Sequence, residues 1–326
     1  MVYFLIRRLF WAIFLFFCAT VISYIIFFVI PSNPASIACG THCTPQQIKH
    51  IEHSLHLDLP IYQQYWLFLW NIFRHGSLGY SYVNGVSVRW TIAQDAPVTA
   101  SLVFGGVVFW LAISIPIGIL SALRPRSILD RFGMIFVLIG ISAPAVWIGL
   151  ILAYVVGFKL GWTPIAGYCN LIPGSGGAAA SCSGPAQWAY HLILPWLTFM
   201  FLFAALYVRL IRATVMETMS EDYVRTARAK GAPGSRVLVQ HVLRNSMLPV
   251  VTILGMDIGL ALGGAVFTET VFQLRGLGSE LILSANKDDL PTVVGVVVFA
   301  CIAVIIFNFI VDVAYAYLDP RIRLTD

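Results

Sequence analysis

The sequence has 326 residues, of which 59% are hydrophobic and only 11% are charged. Several apolar runs exceed 18 residues, and this content lies far above that of a soluble globular domain, so the composition excludes that class. The net charge is +5 at pH 7. We therefore predict an integral membrane protein.

Six apolar runs are long enough to cross about 30 Å of hydrocarbon. We predict a helix for each, since a backbone exposed to lipid must satisfy its own hydrogen bonds. The first run is longer than the core of a cleaved signal peptide, and five more follow it, although the SIAC stretch at 36–39 resembles a weak lipoprotein cleavage site. The predicted fold is an all-α membrane protein with spans at residues 9–30, 98–120, 132–156, 189–211, 247–268 and 292–316.

The distribution of Lys and Arg predicts the orientation of these spans. Fourteen of the 20 such residues lie near the two termini, after the second span, or between Arg209 and Arg244. This bias predicts that both termini and the polar loop 212–246 are cytoplasmic. The positive net charge is largely a result of this Lys and Arg bias, so we do not interpret it as a sign of nucleic-acid binding.

Two parts of the chain are expected. Residues 1–97 combine the first span with a large external loop, whose aromatic run YQQYWLFLWNIF suits a membrane interface. Residues 98–326 form a five-helix core with the cytoplasmic loop at about 212–246.

The stretch EDYVRTARAKGAPGSRVLVQHVLRN, residues 221–245, is the most polar long segment. Ser220 is predicted to cap a first helix, with Glu221 and Asp222 in its first turn at the positive end of the helix dipole. Ser235 is predicted to cap a second helix. The break between the two helices is predicted at three residues: Gly231, Pro233 and Gly234.

On the first of these helices, Val224, Ala227 and Gly231 recur at helical spacing. Cations surround this stripe of small residues, which suits docking into a groove on another protein. The alternative is a basic segment lying on anionic lipid, but the apolar face is small and lacks Trp and Phe. The flanking cations are Arg225, Arg228 and Lys230.

Asp257 lies within the fifth predicted span, opposite a stripe of glycines at 255, 259 and 263 that favours close helix packing. A carboxylate in this position costs about 2.5 to 3.5 kcal/mol on insertion scales, so it should face protein or a wet cavity. One interpretation is that its face lines a translocation path; a structural pair with an Arg or backbone group of a partner is the other. The other residues of this face are Ala261, Gly264 and Thr268.

Three prolines interrupt predicted spans and can open kinks: Pro116, Pro144 and Pro195. Such bends could serve alternating access, although prolines also occur in membrane helices that do not move. On the external side, an oxidising compartment permits disulfides between Cys39 and Cys43 and between Cys169 and Cys182. Histidines near the first pair, at 42, 50, 53 and 56, favour a solvated helix face over a zinc site, and we predict no metal.

No G-x-x-x-x-G-K-[S/T] phosphate-binding motif occurs, and the glycine-rich stretch at 173–184 contains no Lys. H-E-x-x-H and G-x-S-x-G are also missing from the sequence. We therefore predict no enzyme activity and no cofactor for this chain.

The run DYVRTARAKG followed by HVLRNSMLPVV resembles the cytoplasmic loop of the dipeptide and oligopeptide permeases of ABC importers. The resemblance covers nearly the whole chain. Six further stretches stand in that family's order: YFLIRRL, LDLPIYQQY, HGSLGYSY, LGWTPIAGY, GGAVFTETVF and DPRIRL.

The resemblance implies a type I importer permease in a bacterial or archaeal cytoplasmic membrane, acting by alternating access. Its expected partners are a homologous second permease, two ATPase subunits that use ATP and Mg, and an external solute-binding protein. Relatives of this kind carry dipeptides, longer peptides, glutathione or nickel. Residues 221–232 would couple to the ATPase, chiefly through Glu221, Arg225, Ala227, Arg228, Lys230, Gly231 and Ala232.

This sequence departs from the family pattern at three places. Arg225-Thr226-Ala227 stands where the broader signature has Glu-Ala-Ala, and Pro249 lies further from Gly231 than in the general consensus, a pattern that peptide-type members share. Arg275 stands where Pro usually precedes Gly-Leu-Gly, and this departure leaves the contacts with the solute-binding protein open. The alternative function is a self-sufficient secondary transporter or channel protomer, which would not need a docking loop.

Overall fold

The structure, a computed structural model, describes residues 2–29, 44–54, 58–81, 83–172, 184–262 and 265–318, together with Ala35 and Cys182. This described part is almost wholly helical, with one antiparallel hairpin of β1 (Tyr80–Ser81) and β2 (Val86–Ser87). The helices are α1 (Val2–Tyr24, extended by π-helical Ile25–Val29), α2 (Pro45–Ser54), α3 (Ile61–His75), α4 (Val88–Leu123), α5 (Ile128–Ser142), α6 (Ala145–Lys159), α7 (Pro185–Met219), α8 (Asp222–Ala229), α9 (Gly234–Ser246), α10 (Leu248–Leu262), α11 (Val266–Val271), α12 (Leu277–Asn286) and α13 (Leu290–Leu318).

Three described helices are long and apolar enough to cross a membrane: α4, α7 and the Leu290–Ile310 part of α13. Two further spans result if each bent pair counts as one, with α5 and α6 meeting at 107° and α9 and α10 at 44°. The apolar part of α1, Leu9–Tyr24, is shorter than any of these three helices. The described residues thus provide three to five spans by length and composition, where the sequence predicts six.

The prediction of one helix over 132–156 is wrong, because the chain turns sharply between α5 and α6. Ala143 is extended at ψ 128°, and Pro144 occupies the N-cap of α6. Proline clashes with a helical conformation at the residue before it, which explains the break. By contrast, Pro116 and Pro195 lie inside the continuous helices α4 and α7. The predicted span 247–268 is also divided, since α10 ends at Leu262 and α11 begins at Val266.

The centre of the bundle is formed by α4 and α7, which run in the same direction. Gly106 of α4 faces Phe199 of α7, and Gly118 faces Ile211 further along. The Trp110 ring stacks on Phe203 with the centroids 4.5 Å apart. Such close packing is possible because glycine lets the helix backbones approach.

The helix α5 runs antiparallel to α7 and touches it at Gly140. A Cβ on this glycine would lie 2.7 Å from the carbonyl oxygen of Phe201 and 2.6 Å from Cβ of Ala205. On the other side of the bundle, α10 approaches α13 at Gly259, where a Cβ would lie 3.0 Å from Cα of Val304. The glycine stripe of α10 therefore packs closely as predicted at Gly259, while Gly263 lies outside the described residues.

We expect Gly140→Ala to destabilise the chain by about 1 to 3 kcal/mol, because the added methyl group overpacks against backbone that cannot move away. This cost exceeds the gain of about 1 kcal/mol that alanine brings to a helix interior. The matched control is Gly234→Ala, since a Cβ there meets no atom within 4 Å. The thermal unfolding midpoint of both variants in detergent tests this, and an equal or higher midpoint for Gly140→Ala would contradict it.

Candidate functional site

The polar loop begins where α7 ends at Met219. The prediction that Ser220 caps α8 is wrong, because its hydroxyl donates to the carbonyl of Glu217 at 2.7 Å and so closes α7. Glu221 takes the N-cap position of α8 without a side-chain hydrogen bond, and Asp222 is in the first turn. One acidic residue therefore stands at the positive end of α8, as the dipole argument expects.

The turn after α8 depends on Gly231, whose φ is +80°. This left-handed conformation favours glycine, and the N–H groups of Gly231 and Ala232 donate to the carbonyls of Arg228 and Ala227. Pro233 is the N-cap of α9, which begins at Gly234. The predictions that Gly234 breaks the helix and that Ser235 caps it are therefore wrong, since both residues lie inside α9.

The apolar side of α8 faces the chain's own core. Val224 is fully buried together with Val237 and Val242 of α9, and Ala227 and Ala232 pack against the same core. The predicted stripe is thus covered by the chain itself, except for exposed Gly231. The surface left for a partner includes that glycine and five exposed charged residues, among which cations are the majority: Glu221, Asp222, Arg225, Arg228 and Lys230.

An ion pair near the same end of α7 joins it to α5. Arg212 donates from Nε to Oδ1 of Asp130 at 2.7 Å and from a terminal nitrogen to Oδ2 at 3.1 Å. Asp130 also accepts from the backbone N–H of Arg126, and its own N–H donates to Oγ of Ser127. The sequence analysis did not identify this pair, although Ser127 and Asp130 three residues later form a capping pattern that marks the start of α5.

Asp257 lies in the middle of the bundle and pairs with α7. The Tyr207 hydroxyl donates to its Oδ2 at 2.7 Å, so the carboxyl group has a hydrogen-bond partner within the chain. A cavity of about 330 Å³ opens beside it, with Phe199, Phe203 and Phe267 in its wall. Of the predicted face, Asp257, Ala261 and Thr268 all line this cavity, and Gly264 lies outside the described residues.

A larger cavity of about 1370 Å³ lies at the opposite end of α7 from α8. Its floor contains Glu269, a fully buried carboxyl group that the sequence analysis did not single out. The Thr99 hydroxyl donates to Glu269 at 2.7 Å and the Ser279 N–H at 2.8 Å, which ties α11 to α4 and α12. Burial raises the pKa of Glu269 above its ordinary value, while these hydrogen bonds act in the opposite direction.

The Gly-Leu-Gly turn closes around this carboxyl group. A Cβ on Gly276 would lie 2.5 Å from the Glu269 carboxyl carbon, and one on Gly278 would lie 2.8 Å from the Val266 nitrogen. No larger residue fits at either position without displacement. This packing within the chain explains why glycine occupies both positions, without any contact with a partner.

One disulfide is formed in the described part of the chain, between Cys169 and Cys182 at the edge of the larger cavity. Cys39 and Cys43 lie outside the described residues, as do two of the four histidines. The two cysteines and His191 form the one group of potential metal ligands among the described residues. Because the disulfide uses both sulfurs, we assign no metal to this group.

The sequence matches two parts of one transport family. Residues 114–324 match the binding-protein-dependent transport system inner membrane component, and residues 1–103 match its N-terminal component. The chain belongs to this permease family. It is thus a multi-pass component of the cytoplasmic membrane, and the helix α8 lies within the matched permease region.

Curated relatives of this permease cover nearly its full length. A probable D,D-dipeptide transport system permease protein, DdpB of Escherichia coli K12, is 35% identical over 93% of this chain and 92% of its own. The dipeptide transport system permease protein DppB of the same strain is 34% identical over 99% of both chains. The di/tripeptide transport system permease protein DppB of Pseudomonas aeruginosa UCBPP-PA14 is 35% identical, also over 99% of both.

Proposed function

We propose that this permease is the transmembrane subunit of an ATP-driven importer that carries dipeptides or oligopeptides into the cell by alternating access. The peptide cargo is supported by the relatives, whose names specify dipeptide, di/tripeptide or D,D-dipeptide transport. In this proposal α1 supplies the sixth span, and both termini are cytoplasmic.

The observation that carries the proposal is the way α8 is attached. Its exposed side presents Arg225 and Arg228, while its buried side places Val224 in the core shared with α7 and α9. A force applied to the cationic side would therefore move the ends of two membrane helices with it. This attachment suits a lever between a separate ATPase and the translocation path.

The positions of the two cavities along α7 suit a path for peptide across the membrane. The larger cavity is lined by His191 near the start of α7, and α8 follows the end of that helix at Met219. The helix covers about 42 Å between His191 and Met219 at the usual helical rise. The Asp257 cavity lies between these ends. Alternating access would open this route first at the larger cavity and then toward α8.

The complete importer requires further subunits. We expect a homologous second permease, two ATPase subunits that bind ATP and Mg, and an external solute-binding protein, with no cofactor held by this chain. The basic loops after α4 and α7 lie at one end of the bundle, because these helices run in parallel, and this placement supports a cytoplasmic position for α8.

The proposal is tested by co-expressing the chain with its genomic neighbours and purifying the complex through this permease. We expect it to bring down an ATPase whose hydrolysis rate rises when peptide-loaded solute-binding protein is added. Peptide uptake into proteoliposomes should require ATP. Uptake by the chain alone, driven by an ion gradient, would instead support the self-sufficient transporter.

A further inference from the structure

The larger cavity contains charged side chains of both signs that lack ion-pair partners. Asp95 of α4 is half-buried in its wall, and Arg275 projects from the turn before α12. Within the described part of the chain, neither belongs to an ion pair. A half-buried carboxylate such as Asp95 is costly without a partner unless a ligand or water compensates it, whereas exposed Arg275 is free to bind a ligand.

Further charged residues belong to the same cavity. Glu280 and Glu269 line it together with Asp95 and Arg275, so three carboxyl groups and one guanidinium group share one site. Glu280 is half-buried in the same wall, and one of its oxygens accepts a hydrogen bond from Ser284. The cavity therefore has a region with two accessible carboxylates, Asp95 and Glu280, and a guanidinium group at its rim.

The remaining geometry suits a small zwitterion. At about 1370 Å³ the cavity is larger than the 300 to 1,000 Å³ or so of ordinary small-molecule sites, so it has room for a short peptide and its hydration water. Trp90 and Tyr168 contribute aromatic surface to the wall. Aromatic walls with a few placed charges bind side chains of varied shape while orienting the charged ends of a ligand.

We propose that this cavity is an entry site in the permease itself for the two termini of a short peptide, with the α-ammonium group bound by Asp95 and Glu280 and the α-carboxylate by Arg275. The inference rests on the proposed function in peptide import. It assigns to Arg275, which replaces the usual proline of the family, a role in binding the cargo. It also means that the permease tests the free termini of a peptide after the solute-binding protein has released it.

The test uses the purified importer complex in lipid nanodiscs without the solute-binding protein. Equilibrium binding of radiolabelled Ala-Ala is measured, with N-acetyl-Ala-Ala and Ala-Ala amide as competitors that each lack one terminal charge. We expect Ala-Ala to bind more tightly than either competitor. Asp95→Asn should weaken Ala-Ala binding about tenfold and leave N-acetyl-Ala-Ala unchanged, since one charge-assisted contact is lost.

The variant of the cationic residue, Arg275, is expected to show the opposite selectivity between the ligands. Arg275→Gln should weaken Ala-Ala binding about tenfold and leave Ala-Ala amide unchanged. The matched controls are Asp288→Asn and Lys287→Gln, two exposed residues at the end of α12 that do not line the cavity, and both should bind all ligands as wild type does. The thermal unfolding midpoint of each variant is measured to show that the variants compared are folded.

Three results would overturn the site. Asp95→Asn and Arg275→Gln could weaken all three ligands equally, or could bind them as wild type does. The third is a wild-type complex that takes up peptide with its solute-binding protein yet binds no Ala-Ala alone, which would overturn the site and leave the importer function intact. A wild-type complex without any peptide uptake would overturn the importer function as well.

Discussion

Gly231→Asp is expected to abolish most of the ATPase stimulation by peptide-loaded solute-binding protein, with a fall of at least about tenfold, while the chain still inserts into the membrane. The residue lies at the exposed end of the mainly cationic surface of α8, and its φ of +80° is less favourable for aspartate than for glycine. A partner that fits a cationic surface carries negative charge, and a like charge placed against it costs several kcal/mol, with each 1.4 kcal/mol being about tenfold.

Two control variants separate the causes. Asparagine has nearly the same size as aspartate and adopts the left-handed conformation about as readily, so Gly231→Asn should retain more stimulation than Gly231→Asp if charge matters. Gly161→Asp places the same residue at another exposed glycine with positive φ, remote from α8, and should couple normally. Stimulation and peptide uptake in proteoliposomes are the measurements. Wild-type coupling in Gly231→Asp would count against α8 as the contact with the ATPase.

Arg212→Ala is expected to lower the free energy of unfolding by about 3 kcal/mol, because it leaves the carboxylate of Asp130 buried without its counter-charge. The Asp130 side chain is only 7% exposed, and that of Arg212 is 25% exposed. The pair joins α5 to α7 just before α8, so its loss loosens the end of the bundle where coupling is expected. Unfolding by SDS or heat, followed by tryptophan fluorescence of the purified chain, measures the effect.

A double-mutant cycle shows whether the pair itself is responsible. Asp130→Ala combined with Arg212→Ala should cost less than the sum of the two single variants, since the double variant leaves no unpaired buried charge. Arg209→Ala is the matched control, because this arginine is exposed on the same helix one turn away. Strictly additive losses would show that Asp130 and Arg212 act independently.

Much of the polar loop could be predicted from local chemistry. The two helices and the break at Gly231 and Pro233 follow from residues that favour or disfavour helix over a few positions. The errors concern which residue caps which helix and which face is free. Ser220 had a competing acceptor at Glu217, and Val224 had neighbours in α9, and neither fact is visible in a local pattern.

Glu269 shows why part of the site could not be predicted. Its hydroxyl donor, Thr99, is 170 residues away in the sequence. The carboxyl group is buried only because α11, α4 and the Gly-Leu-Gly turn meet around it. In the sequence, an acidic residue just after an apolar run is indistinguishable from a solvated one.

The sequence by itself determined the membrane class, the permease family and the polar loop, because apolar run length, charge distribution and short motifs are properties of neighbouring residues. Only the tertiary structure decided that α5 and α6 meet at 107°, that Tyr207 is the partner of Asp257, and that Asp95 and Arg275 share one cavity. These features depend on how distant helices align along one another. That alignment is set by side-chain packing between helices, such as Gly140 against Phe201, rather than by any local preference of the chain.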